Sequence, residues 1–356
     1  MVKKIRASVP AKVILFGEHF VVYGKRALAT AINRRLAVEV SSREKRGYHV
    51  KIENIPTFGL EMDLEHGKGG DIKALPYMDY GTATKAITYV TESISYLEER
   101  YGIGGEGVEI EIKSEIPLSA GLGSSAATCV ATIAALKEFF GVSGDLEGIR
   151  NDAHRVELAV QGAASPVDTA ISTYGGYVLV EKGEVKRLRL AELNLIVGCV
   201  GNIPLSMDMD TKKASEMRLK TKKIVEDVKT RKETFKGIFE SIFAASDEVT
   251  AQAIRAMEHR DFVKLGALMN VNHGLLDAIG VVPRRLSELV KMSQELGALG
   301  AKVTGAGGLD EMGGVGSVLV QPGVSVDKIK AAMEIAGALV MDVKTGEEGL
   351  KIHNPI

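Results

Sequence analysis

Two glycines and two serines set between a strand and a helix are the clearest chemical signal in the chain. In Ile116-Pro-Leu-Ser-Ala-Gly-Leu-Gly-Ser-Ser-Ala-Ala127, Gly121 and Gly123 free the backbone to bend and expose its amides. Ser124, Ser125 and the first N–H groups of the following helix then point into one space. A helix amino terminus carries about half a positive charge and unpaired donors, so this segment suits an anion such as a phosphate. No lysine follows the second glycine, which sets it apart from the G-x-x-x-x-G-K-[ST] loop. A plain turn with an N-cap serine is the bland alternative. The paired serines and the all-small helix behind them favour the anion site.

The flanking elements must hold that loop. Val108-Glu-Ile-Glu-Ile-Lys113 alternates strictly and predicts a strand ending at Ile116-Pro117, and small apolar residues predict a helix running to Phe140. Upstream, Ala11 to Tyr23 reads as two strands around a turn at Gly17-Glu18-His19. Residues 34–42 and 48–53 read as strands, 56–81 as loop, and 83–100 as a helix. Downstream, residues 194–200 predict a buried strand, followed by long helices near 211–235, 237–257 and 284–297. Residues 301–304 and 316–321 predict strands around a second glycine cluster. Helices between antiparallel-type strands fit an α+β fold in two domains, 1–191 and 192–356.

Composition narrows the class. At 356 residues, 45% apolar and 26% charged, the chain is long enough for two packed domains and too apolar for disorder. Lysine plus arginine is 45 against 46 acidic residues, a net charge of −1, which gives no support to nucleic-acid binding. Cys129 and Cys199 lie in apolar surroundings and read as small buried residues. The amino-terminal residues lack the apolar stretch of a signal peptide, and no run reaches membrane-spanning length, so a cytoplasmic location off the membrane is expected. Glycine is in excess, 39 residues against a usual level of about 7%, and clustered in a few loops.

The glycine–serine segment resembles the second motif of the GHMP kinase superfamily, Pro-x-x-x-Gly-Leu-Gly-Ser-Ser-Ala, with Pro117 to Ala126 filling every fixed position. Pro10-Ala-Lys-Val-Ile-Leu-Phe-Gly-Glu-His-Phe-Val-Val-Tyr-Gly24 is similar to the amino-terminal signature of the mevalonate kinases within that superfamily. Arg155 to Gly176 resembles their stretch carrying a metal-binding glutamate and, eleven residues later, a catalytic aspartate, here Glu157 and Asp168. Gly162, Ser165 and Pro166 suggest a helix that ends and a tight turn presenting Asp168. Capping of a helix over 169–173 is the plain alternative for that aspartate. Lys302-Val-Thr-Gly-Ala-Gly-Gly308 begins as the superfamily's last motif. Then Leu309-Asp310-Glu311-Met312 interrupts it, and a bulge is expected there to keep two carboxylates off a triphosphate.

The resemblance implies a two-domain kinase fold with nucleotide and substrate in the cleft. It implies ATP as donor, Mg²⁺ on Ser125 and Glu157, and catalysis by Asp168 and Lys12. Pro117, Ser119, Ala120, Gly121, Leu122, Gly123, Ser124, Ser125 and Ala126, with Gly305 and Gly307, would contact ATP. Glu18, His19, Val22 and Thr211 would contact substrate, the expected one being mevalonate phosphorylated on its primary hydroxyl. A homodimer is the implied assembly. Other readings stay open: phosphomevalonate kinase or mevalonate 3-kinase, the former needing basic groups such as Lys212, Lys213 or Arg218, and a non-catalytic ligand-sensing relative. The last would be expected to have lost Asp168 or Lys12.

Overall fold

The computed structural model describes residues 3–54, 58–64, 72–74, 80–117, 120–162, 165–200, 211–310 and 316–353, with the backbone alone at 54, 58–61, 72–74, 80–86 and 211–222. Ser119, Asp210, Glu311 and Met312, and the side chains of Thr211, Lys212, Lys213 and Arg218, lie outside what is described.

The chain opens with β1 (Lys4–Phe16), a 3₁₀ helix (Phe20–Tyr23) and β2 (Ala27–Arg43). The expected second strand before Tyr23 is therefore a helical turn. β3 (Gly47–Asn54), β4 (Phe58–Leu64) and β5 (Ile72–Ala74) follow, so the segment expected to be loop contributes two strands. Then come α1 (Tyr80–Tyr101), β6 (Gly107–Ser114), α2 (Ser124–Phe140), α3 (Leu146–Gln161), α4 (Pro166–Tyr174), β7 (Tyr177–Glu181) and β8 (Glu184–Leu188). These strands, with β13 (Lys351–His353), make the first sheet in the order β13–β1–β2–β6–β3–β4–β5, with β7 branching from β2 and β8 pairing with β7. Strand β2 is long enough to pair β7 through residues 27–30 and β6 through 36–43 along one edge, while β1 takes the other. Its partner β6 alternates as predicted, burying Val108, Ile110 and Ile112.

β9 (Asn194–Val200) begins a second sheet, continued by α5 (Thr211–Thr234), α6 (Lys236–Glu258), α7 (Phe262–Ala278), α8 (Arg284–Glu295), β10 (Gly300–Thr304), β11 (Gly316–Gln321), α9 (Val326–Ile335) and β12 (Ala338–Lys344). That sheet runs β10–β11–β9–β12, antiparallel throughout. The chain then recrosses: β13 (Lys351–His353) pairs with β1. One apolar cluster runs from Val9, Val130 and Ile110 of the first sheet and its helices to Val197, Met257 and Leu319 of the second half. Burying both halves against each other fixes how their loops meet.

Two features of this scaffold matter for chemistry. Pro10 cannot donate to a sheet ladder, and the β1–β2 register slips between Pro10 and Ala11 and again between Ile14 and Phe16. Lys12 sits between these slips. Helix α2 is buried at almost every position from Ala126 to Lys137, so its amino terminus is rigidly placed.

Candidate active site

The anion loop is built from both halves of the chain. Gly121 and Gly123 take φ values of 74° and 82°, in the left-handed region that side chains resist. Gly123 is the N-cap of α2 and offers no side-chain acceptor, so the first amides of the helix keep their donors for an anion. From the second half, Ser317 Oγ donates to the Ala120 carbonyl at 2.6 Å, and a Cβ on Gly305 would stand 3.2 Å from the Gly121 oxygen. The two glycine clusters therefore pack backbone to backbone, and both glycines hold a positive φ that side chains resist. Ala120, Leu122 and Ala126 are buried, as is Pro117, whereas Gly121 is exposed and Ser124 and Ser125 are half-buried.

Lys12 lies directly beneath. Its amide donates to the Leu122 carbonyl at 3.0 Å, tying β1 to the loop. Its Nζ stands 3.2 Å from Asp168 Oδ1, with the lysine side chain 4% exposed and the aspartate 27%. Asp168 does not cap α4. Ser165 does, its Oγ accepting from the Val167 amide at 3.3 Å, with Pro166 filling the first helical position. Capping by Ser165 leaves Asp168 in the first turn, where the helix dipole favours a carboxylate and the side chain is free to face Lys12.

Glu157, in the last turn of α3, completes the set. Gln161 Nε2 donates to its Oε1 at 3.1 Å, while Oε2 is buried without a partner. Burial above all, and then the Asp168 charge, push its carboxyl up to about 8, against the opposing pull of Lys12 and Gln161. A buried carboxylate with an orphaned oxygen beside a second carboxylate is a site that a cation would stabilise. Among the described residues no three His, Cys, Asp or Glu side chains cluster as a self-sufficient metal site. The orphaned oxygen fits a metal that would share its ligands with a bound phosphate, with Glu157 and Ser125 on the protein side. Tyr89, which nothing in its sequence neighbourhood singles out, is buried beside Ser125, Glu157 and Gln161, and burial above all raises its hydroxyl pKa.

The substrate-end residues are placed unequally. Glu18 is not open to a ligand: its carboxylate accepts from Lys302 Nζ and, at 3.2 Å, from Asn272 Nδ2, with both ionic side chains fully buried. His19 Nε2 lies 2.9 Å from the Ala306 carbonyl, so Nε2 carries the proton, and burial holds the imidazole pKa below its usual value. Val22 is 60% exposed.

The last motif differs from expectation too. Thr304 Oγ1 donates to the Ile14 carbonyl at 2.9 Å and accepts from the Ile14 amide at 3.2 Å, stitching β10 to β1. Gly307 has φ 66° and packs on the Val281 carbonyl. Leu309 does not bulge outward: it is buried with Phe20, Val281 and Phe243. Asp310 is exposed and accepts from the Arg284 amide at 2.8 Å, capping α8, which otherwise starts at Pro283 without a side-chain cap. The described part of the interruption, Leu309 and Asp310, is thus an apolar anchor followed by a helix cap.

Two family descriptions match this chain, the GHMP kinases N terminal domain over residues 88–176 and the GHMP kinases C terminal over 253–339. A mevalonate kinase of Thermococcus gammatolerans is 38% identical over 358 aligned residues, covering 99% of each chain. One of Pyrococcus furiosus is 37% identical over the same length and coverage. The crystal structure of L. major mevalonate kinase in complex with R-mevalonate superposes with a TM-score of 0.75 at 24% identity, covering 96% of both chains, and so shares the fold. Full-length identity at this level, on a chain whose two halves match the two domain descriptions, places it: it belongs to the GHMP kinase family, among the mevalonate kinases.

Proposed function

We propose that this chain transfers the γ-phosphoryl group of ATP to the primary hydroxyl of mevalonate. The observation that carries the proposal is the Lys12–Asp168 ion pair directly below the exposed amides of α2. Phosphoryl transfer demands alignment and charge neutralisation more than covalent chemistry. The amides at 121–126 would hold the phosphates. Asp168 would orient the attacking hydroxyl and receive its proton. An alcohol is roughly twelve pKa units weaker as an acid than an ordinary carboxyl, so that proton leaves only as the O–P bond forms. Lys12, held between the β1 register slips, would offset charge developing on the transferred group.

Glu157 and Ser125 are the residues that would hold Mg²⁺, which when bound neutralises phosphate oxygens. His19 and the exposed Val22 would border the substrate, and the resemblance adds Thr211 to them. We also retain the division at 191/192, with β13 as a return to the first domain, a cytoplasmic location and a homodimeric assembly as proposals. No helix among the described residues is long and apolar enough to cross a membrane. A coupled ADP-release assay on mevalonate, phosphomevalonate, galactose and homoserine tests the substrate. Mevalonate should give the highest kcat/KM, and a tenfold preference for any other would overturn the assignment while leaving the fold untouched.

A further inference from the structure

His19 is one of the few non-glycine residues with positive φ, at φ 61° and ψ −39°. The Phe20 amide donates to the Glu18 carbonyl at 2.7 Å, two residues back, so His19 is the centre of a γ-turn of the rare, strained hand. Such a conformation persists only where its surroundings impose it. Here every side-chain anchor of residues 18–20 comes from the second half of the chain. Glu18 is held by Lys302 of β10 and Asn272 of α7. His19 is held by the Ala306 carbonyl, and Phe20 packs edge-on against Phe243 of α6, ring centroids 5.3 Å apart.

We propose that the buried Lys302–Glu18–Asn272 cluster sets the γ-turn that presents His19 to the substrate, making Lys302 and Asn272 positioning residues for the substrate end of the cleft. The proposal rests on the reading that residues 19–22 border mevalonate. It runs against what sequence position suggests, because Lys302 opens the glycine motif assigned to ATP. The two duties meet only at the Ile14 carbonyl, where the Lys302 contact is the long one. The Lys302 ammonium reaches back to Glu18, to the Val303 carbonyl at 2.7 Å and to the Ile14 carbonyl at 3.5 Å. The nucleotide-side turn is instead fixed by Thr304 on the Ile14 backbone and by the Gly121–Gly305 contact. Removing the ammonium should therefore release Glu18 and His19 before it disturbs the phosphate loop.

The test uses the full chain carrying Lys302→Met, and Glu18→Gln/Lys302→Met together. The single variant leaves an unpaired buried carboxylate and should lose stability; the double variant removes that charge and should recover much of it. Calorimetric binding of mevalonate and of a non-hydrolysable ATP analogue is measured well below each Tm, alongside solvent exchange of the His19 Nε2–H proton by NMR. The expected result is mevalonate affinity at least tenfold weaker in both variants, nucleotide affinity within threefold, and exchange at least tenfold faster. Mevalonate affinity within threefold of the parent in the folded double variant, or equal losses for both ligands, would overturn the proposal. Should the parent bind no mevalonate, the substrate reading falls, and the exchange rate alone decides whether the cluster sets the turn: unchanged protection in the double variant refutes it.

Discussion

Replacing Glu157 by glutamine should stabilise the metal-free protein above neutral pH while impairing turnover. The carboxyl is 3% exposed, one of its oxygens has no partner, and its pKa is pushed from 4.5 up to about 8. An acid whose folded pKa exceeds its unfolded pKa holds its proton longer in the native state. Its contribution to stability is complete below 4.5 and is lost as pH rises to about 8. At 1.36 kcal/mol per unit the ceiling of this loss is roughly 5 kcal/mol. Relaxation and water entry around a buried charge reduce such terms, and about 2 kcal/mol is expected to survive. That corresponds to a Tm difference of roughly 2–4 °C. Glutamine keeps the shape and has no proton to lose. Thermal melts of parent and Glu157→Gln in chelator from pH 5 to 9 should differ little at pH 5, diverge progressively up to about pH 8 and keep a constant gap beyond it, the variant being higher. Saturating Mg-ATP should reverse that order, because the parent's carboxylate then has its cation. Identical pH dependence in the two proteins would refute the reasoning.

Asp168→Asn should lower kcat by about 10²–10⁴ with KM values for both substrates within about fivefold, since its interaction matters as the proton moves; steady-state kinetics check this. Asp310→Ala removes the cap of α8 and should cost about 1 kcal/mol in denaturant unfolding, leaving KM for Mg-ATP within about threefold. Gly307→Val should damage nucleotide binding badly, because its Cβ would overlap the Val281 carbonyl at a positive φ; titration with an ATP analogue measures it.

The local chemistry of the site was legible in the sequence wherever glycine marked a backbone demand. Gly121 and Gly123 announced the anion loop, and the strictly alternating β6 and small-residue α2 announced the elements that hold it. Lys12, Glu157 and Asp168 required neighbours to be read at all, because each type occurs on surfaces everywhere. Their meeting depends on α3, α4 and β1 converging, which no local pattern encodes. Glu18 shows the limit most clearly. Its partners Asn272 and Lys302 are more than 250 residues away, and a carboxylate next to a histidine looks the same whether it faces a substrate or a buried lysine. Leu309 and Asp310 looked like an intrusion on the phosphate loop because their partners, the Phe20 cluster and the Arg284 amide, are also distant. Helix α7 went unread because apolar residues surround it without a clean period of 3.6.

The central claim is that the Lys12–Asp168 pair serves a primary alcohol on an unphosphorylated substrate. ³¹P NMR of the product formed from mevalonate and Mg-ATP tests it in one spectrum. A phosphate ester on the primary hydroxyl couples to two methylene protons and gives a triplet. A singlet without proton coupling, the signature of phosphate on the tertiary hydroxyl, or no new monoester resonance at all, would contradict the account.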